Sequence, residues 1–345
     1  MANLLILYCK YEQYDLAHDV LSENEELKMK YLTEEEVAYI SAIGMITNNK
    51  EVAYESLEKL AKLYSENIAK QLKIIKDCQQ SNSVDKSFHH KVFQTFDKIL
   101  QKYLPVITSQ AKICWDLGKY EAVEKILKHP EIYDLFKDNK TWKINMGHAY
   151  FIQETNFKEA INYYSMVYEN EEDILSVPAS VIANLCVSLI MVQRNEEAQE
   201  IIKRIEEEEL KALEIDPNRQ LFHVCIVNLI VGTLYCSKSN YEFGISRVMV
   251  SFQNFHKRIN IDTWFYAKRC ILALIESLAK QVMIIPDNLY VELLHFLDTA
   301  DMLGKNITTQ MNYNDASGRN TVSSESRKLK KMLLRLKDNT TNQSK

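Results

Sequence analysis

Glycine and proline are scarce, with 7 and 5 in 345 residues, against an average usage of about 12% for the two together. A chain this poor in turn formers cannot supply the many tight reversals of a large sheet protein. Long hydrophobic runs are missing too. The longest near-apolar stretches, Val181–Val192 and Leu221–Cys236, are too short to span a bilayer and carry Asn184, His223 and Asn228. Leu4–Tyr8 has no basic residues ahead of it and no small-residue cleavage pattern behind it, so no signal peptide is evident and a cytosolic compartment, or one continuous with it, is expected. Seven cysteines, an odd number, include no C-x-x-C pair; this argues against a zinc or redox motif and for reduced, buried, small hydrophobes. No phosphate-binding glycine loop and no H-E-x-x-H helix occurs. A non-enzymatic chain with no cofactor or metal is therefore expected.

What is present is ordinary globular material. Hydrophobic residues make up 46% and charged residues 26%, and 42 basic against 47 acidic residues leave a net charge of −5, which offers nucleic acid or an anionic membrane no overall attraction. The informative feature is an internal repeat. A small or modest residue is followed by a large one three positions on, an aromatic about nine on, a small residue about twelve on and another large one about sixteen on. Gly232 with Tyr235, Tyr241, Gly244 and Val248 fits, as does Ala111 with Cys114, Tyr120, Val123 and Leu127. Cys186 with Leu189, Asn195, Ala198 and Ile202 follows, as does Leu5 with Tyr8, Tyr14, Ala17 and Leu21. Gly147 with Tyr150, Phe157, Ala160 and Tyr164 fits if one residue is inserted between Gln153 and Phe157. Small side chains let two antiparallel helices approach, and the large ones fill the seams between neighbours. This is the tetratricopeptide pattern, nominally about 34 residues long, and it predicts an all-α α-solenoid, a right-handed superhelix of antiparallel helix pairs.

The expected organisation is a truncated first repeat over 1–30; degenerate repeats over 31–104 containing one long helix, Tyr54–Cys78; tetratricopeptide units over 105–260; and a helix pair over 261–304. A linker over 305–323, a helix over 324–337 and a disordered tail over 338–345 complete it. The pair Asp262–Lys280 and Asp287–Leu303 opens each time on an aspartate able to cap free amides.

In such arrays the first helices line the inner face. That places Trp115, Ile144, His148, Phe151, Ile152, Val187, Ile190, Met191, Ile226 and Leu229 on a largely apolar groove. An apolar surface of this kind is an aggregation liability unless filled, so it suits an extended proline- or aliphatic-rich segment of another protein, with Trp115, Phe151 and Ile190 as anchors. The same three side chains could instead pack between helices. His148 admits both readings, partner contact or packing. His89-His90 reads as solvated surface, since adjacent helical positions diverge by about 100°. The Glu206–Glu209 run reads as a solvated helix end, and Lys328, Lys330, Lys331 and Arg335 as a solvated basic flank.

Several words carry a resemblance: VCIVNLIVGTLYCSKSNYEFGISRVMVSF at 224–252, DTWFYAKRC at 262–270, ANLCVSLIM at 183–191, NEEA at 195–198 and NTVSSESRKLK at 320–330. Together they resemble the tetratricopeptide repeat protein 30 family, called fleer in some animals, a subunit of intraflagellar transport complex B. The resemblance implies a cargo-train scaffold of cilia that wraps a proline-rich segment of the fifty-two-kilodalton core subunit. It further implies links to kinesin-2 transport, cilium assembly and axonemal tubulin polyglutamylation, at the cilium or flagellum and its base. Family members are about twice this length, so the expectation is a C-terminal portion or incomplete chain. The competing reading is an unrelated cytosolic tetratricopeptide adaptor in a chaperone or degradation complex. The Lys, Asn and Arg clamp of chaperone-binding arrays is not what this groove offers.

Overall fold

A computed structural model describes residues 4–5, 7–8, 11, 13–24, 26, 30, 32–80, 86–217, 219–253, 255–280, 286–309 and 320–343. The chain divides into two compact units, Met1–Asn156 and Phe157–Lys345. Both are helical. Among the described residues the one β feature is an isolated bridge between Thr308 and Thr321. The architecture is thus an all-α, tetratricopeptide-like repeat of antiparallel helix pairs.

In the first unit α1 (Tyr14–Glu23) packs on α2 (Glu34–Gly44), and α2 packs on α3 (Lys50–Gln80). α3 runs beside α4 (Lys86–Asp116), α4 is followed by α5 (Tyr120–Leu127) and α6 (Pro130–Phe136), and α7 (Lys140–Ile152) rests on α5. The small residue of the first repeat is fully enclosed: Ala17 is 0% exposed. α2 opens on a capping box in which Thr33 accepts from the Glu36 amide while the Glu36 carboxylate takes the Thr33 amide.

The long helix expected at 54–78 runs over 50–80, and its apolar seam is real: Leu57, Leu60, Tyr64, Ile68 and Ile75 are buried and Leu72 half-buried. Its partner differs from the sequence expectation. A second 31-residue helix, α4, passes straight through residue 104, where a unit boundary was placed, with Pro105 inside it. Proline removes one amide donor from a helix interior. The long hydrophobic contact with α3 outweighs that loss, for Val92, Phe96, Tyr103, Val106 and Ile107 are all buried, and the rings of Tyr64 and Tyr103 lie 6.3 Å apart.

The second unit holds α8 (Phe157–Glu169), α9 (Ala179–Met191), α10 (Asn195–Ile215), α11 (His223–Ser237) and α12 (Tyr241–Ser251). The one-turn α13 (Phe255–Arg258), then α14 (Ile261–Ala279), α15 (Asp287–Leu303) and α16 (Val322–Gln343) complete it. The close approach expected from small residues is plain between α11 and α12. A Cβ on Gly232 would stand 2.8 Å from the Gly244 carbonyl oxygen, and one on Gly244 would meet the Cys236 sulfur at 2.5 Å. Neither position has room for a methyl group.

The turns within pairs repeat one geometry. Gly118, Glu154, Gln193 and Ser239 each lie seven residues after the small anchor and each has positive φ, between 56° and 70°. At three of them the flanking amides close a Schellman motif: Gly118 N to Trp115 O and Lys119 N to Cys114 O, Gln193 N to Ile190 O and Arg194 N to Leu189 O, Ser239 N to Cys236 O and Asn240 N to Tyr235 O. The insertion in the third repeat falls just after this residue, at Thr155.

Two helix starts differ from expectation. α14 is capped by Asn260, whose side chain accepts from the Thr263 amide, with Asp262 one residue inside the helix; α15 follows Pro286, which has no capping side chain. Asp287 instead receives Lys337 of α16 at 3.1 Å. The last helix also runs to Gln343, past residue 338 where a tail was expected.

Candidate partner-binding residues

The structure distributes the ten expected groove residues among three environments. In the first unit Trp115 is 37% exposed, at the end of α4, with its ring edge-on to Tyr120 at 5.2 Å. Ile144, His148 and Phe151 are half-buried on α7, and Ile152 is exposed at its end. Ile152, Gln153 and Thr155 line one side of an open cleft of about 590 Å³, with the Gly118–Ala122 turn and Lys125 on the other.

The polar framework behind this surface is one carboxylate. Glu124 on α5 accepts from Tyr150 Oη at 3.0 Å, Lys128 Nζ at 3.1 Å and Gln153 Nε2 at 3.3 Å. Burial alone would raise its pKa, but these three hydrogen bonds outweigh it and hold the carboxyl below its usual range. The effect is to tie α5 to the C-terminal half of α7, which fixes the backbone that presents Phe151 and Ile152. Burial pushes the neighbouring His148 below the ordinary histidine range, so its imidazole is held neutral.

In the second unit the arrangement is different. Val187, Ile190 and Leu229 are buried, Ile226 is half-buried, and Met191 is exposed at the end of α9. α9 is packed on by α8, α10 and α11, and nine of its thirteen residues are buried. A helix apolar all round is a core helix. Ile190 therefore belongs to the packing of its own unit, and Met191 is the large apolar side chain that α9 exposes.

Several residues that matter were not foreseen. Glu209, expected in a solvated acidic run, is 2% exposed. Its carboxylate pairs with Arg258 of α13 at 3.2 Å and accepts the Val224 amide at 2.8 Å, capping the start of α11. The signal was in the spacing, for Ala198, Ile202, Ile205 and Glu209 follow the 4, 3, 4 steps of one buried face. Glu325 of α16 accepts the Trp264 indole at 2.8 Å, the Lys268 ammonium at 3.0 Å and the Thr309 hydroxyl at 3.0 Å. Two words of the family resemblance, DTWFYAKRC and NTVSSESRKLK, thus meet in space. On α16 Arg327 and Lys330 pair with Asp301 and Asp298 of α15, while Lys328, Lys331 and Arg335 are exposed. His90 is exposed beside Gln94, and the side chain of His89 lies outside the described residues.

The comparisons with known proteins bear on these helix pairs directly. The profile of the Intraflagellar transport protein 70 C-terminal domain matches residues 1–341. The chain belongs to the Intraflagellar transport protein 70 family. It is 41% identical over 337 residues to Intraflagellar transport protein 70A1 of Mus musculus, covering 96% of this chain and 50% of that protein. Similarity to Intraflagellar transport protein 70A of Homo sapiens is the same in extent, at 41% over 337 residues. The Bos taurus 70A protein is 40% identical over 342 residues, 97% of this chain and 51% of that one. The chain spans about half the length of the curated relatives it matches. Among the described residues no helix is long and apolar enough to cross a membrane.

Proposed function

We propose that the chain is a non-enzymatic scaffold of intraflagellar transport complex B, acting in the cilium or flagellum and at its base. The observation that carries this is the family match over 1–341, almost the whole chain. The mode of action we propose is capture of an extended, proline-rich or apolar segment of the neighbouring fifty-two-kilodalton core subunit. Surface-exposed Trp115 and Ile152 of the first unit are the contacts. Large apolar side chains half out of water, backed by a rigid hydrogen-bonded support such as Glu124, are what concentrates interface energy. Roles in kinesin-2 transport, cilium assembly and axonemal tubulin polyglutamylation would follow from assembly of that complex rather than from chemistry on this chain.

The test is co-purification of the chain with the proline-rich segment of that subunit. Trp115→Ala should weaken capture at least about tenfold, the loss typical of a central aromatic contact, and Ile152→Asp should do likewise, with the circular dichroism spectrum unchanged. Ile190→Asp is the wrong probe, because a charge placed among the buried residues of α9 threatens the fold itself. A folded chain that captures nothing would remove it from that subunit's binding site.

A further inference from the structure

Cysteine placement in the second unit carries a proposal of its own. Cys270 on α14 reaches α11, where its sulfur lies 3.5 Å from the Thr233 hydroxyl oxygen. Thr233 in turn donates to the Leu229 carbonyl at 2.8 Å. Cys236 stands three residues after Thr233, one turn along the same face of α11, which is the face that Cys270 meets. Both residues belong to one buried cluster, 4% and 2% exposed. Gly244 gives the Cys236 sulfur its space, since a side chain there would begin 2.5 Å from that atom. The other described cysteines are placed differently. Cys186 faces the Ala198 carbonyl oxygen at 4.0 Å, Cys114 meets Tyr54, and Cys225 lies near Arg258 and Glu209.

We propose that Cys236 and Cys270 are a dithiol pair that a small two-electron oxidant, such as hydrogen peroxide, converts into an intramolecular disulfide joining α11 to α14. The Cys270 thiol loses its proton and its sulfur attacks one peroxide oxygen. The O–O bond breaks, the departing hydroxide takes up that proton as water, and Cys270 becomes a sulfenic acid. The Cys236 sulfur then attacks the Cys270 sulfur; the S–O bond breaks and a second water leaves with the Cys236 proton. Two thiols and one peroxide become one disulfide and two waters. Cys270 is the attacking member because the adjacent Cys236 draws its thiol below the usual range, while the same proximity and burial push Cys236 up. Burial restricts the reaction to small oxidants and makes it slow.

The bond would close a loop of 34 residue steps, which restricts the unfolded chain. The experiment treats the 345-residue chain with hydrogen peroxide, alkylates the remaining thiols and maps the peptides by mass spectrometry. The expected result is one cross-linked pair, 236 with 270, lighter by two hydrogens. The melting temperature should rise by roughly 5–10 °C and return with dithiothreitol. Cys186→Ser should keep the gain, whereas Cys236→Ser and Cys270→Ser should abolish it. Peptides from the wild-type chain decide the matter even if a serine variant folds poorly. Residues 236 and 270 still alkylated after peroxide, oxidised separately to sulfinic acids, or joined to other cysteines would overturn the proposal.

Discussion

Gly232 and Gly244 illustrate how much of the α11–α12 contact depends on single atoms. Each faces the other's backbone so closely that a β-carbon meets a carbonyl oxygen at 2.8 Å. Gly232→Ala is expected to destabilise the chain by about 1–3 kcal/mol, the range for overpacking a tight core, read as a lower urea midpoint. Gly118 presents the opposite case. Nothing lies within 4 Å of its would-be β-carbon, but its φ is +70°. Gly118→Ala should cost about 1 kcal/mol through backbone strain alone, so the two variants separate crowding from conformation. Glu209 is the third residue of consequence. Removing its carboxylate leaves Arg258, 8% exposed, without its ion partner and leaves the Val224 amide uncapped. Glu209→Ala should therefore lose about 3–5 kcal/mol, as expected when one member of a buried pair is deleted. The anchors and their spacing were readable from the residues; the burial of Glu209 had only its register with Ile202 and Ile205 to signal it, which a run of four glutamates masks until the helix packed over its last member is known.

Helices are specified by their local pattern more surely than their lengths are. The seam from Leu57 to Ile75 is legible as a 3- and 4-residue rhythm, and it forms. That α4 would continue through Pro105 is not legible, since proline locally argues for an end and only the matching apolar face of α3 overrides it. At the other end of the chain α16 is held by chemistry that no short window contains. Its Glu325 accepts from Trp264, Lys268 and Thr309, a set drawn from positions 16 to 61 residues away. These bonds hold the carboxyl below the usual range in spite of the burial that would raise it. Glu325→Ala should leave the indole N–H of Trp264 unmatched at an estimated loss of about 1–3 kcal/mol. Hydrogen exchange should show it as faster exchange of α16 amides with α1–α3 unchanged.

The molecule as a whole should respond to pH in two separate windows. His148 is neutral in the fold because burial depresses its pKa below 6.5. The unfolded chain takes up a proton as pH falls through 6.5 while the folded chain does not, so stability is full above that value and declines below it. Glu36, Glu124 and Glu325 are held below 4.5 in the fold. Their contribution is present above 4.5 and is lost as pH falls through their lower folded values. Urea midpoints measured at intervals from neutral to acid pH should show both declines, and His148→Gln should flatten the first while leaving the second.

The residues alone determined the all-α repeat, the small positions where helices touch and the family the chain belongs to. These follow from periodicities of three and four residues and from words read along the chain. Tertiary structure decided which apolar side chains stay at the surface. Trp115, Ile152 and Met191 sit at helix ends, while Val187, Ile190 and Leu229 have the same character and are enclosed. Exposure depends on how many neighbouring helices cover a face, and that number is set by contacts between residues far apart in the chain.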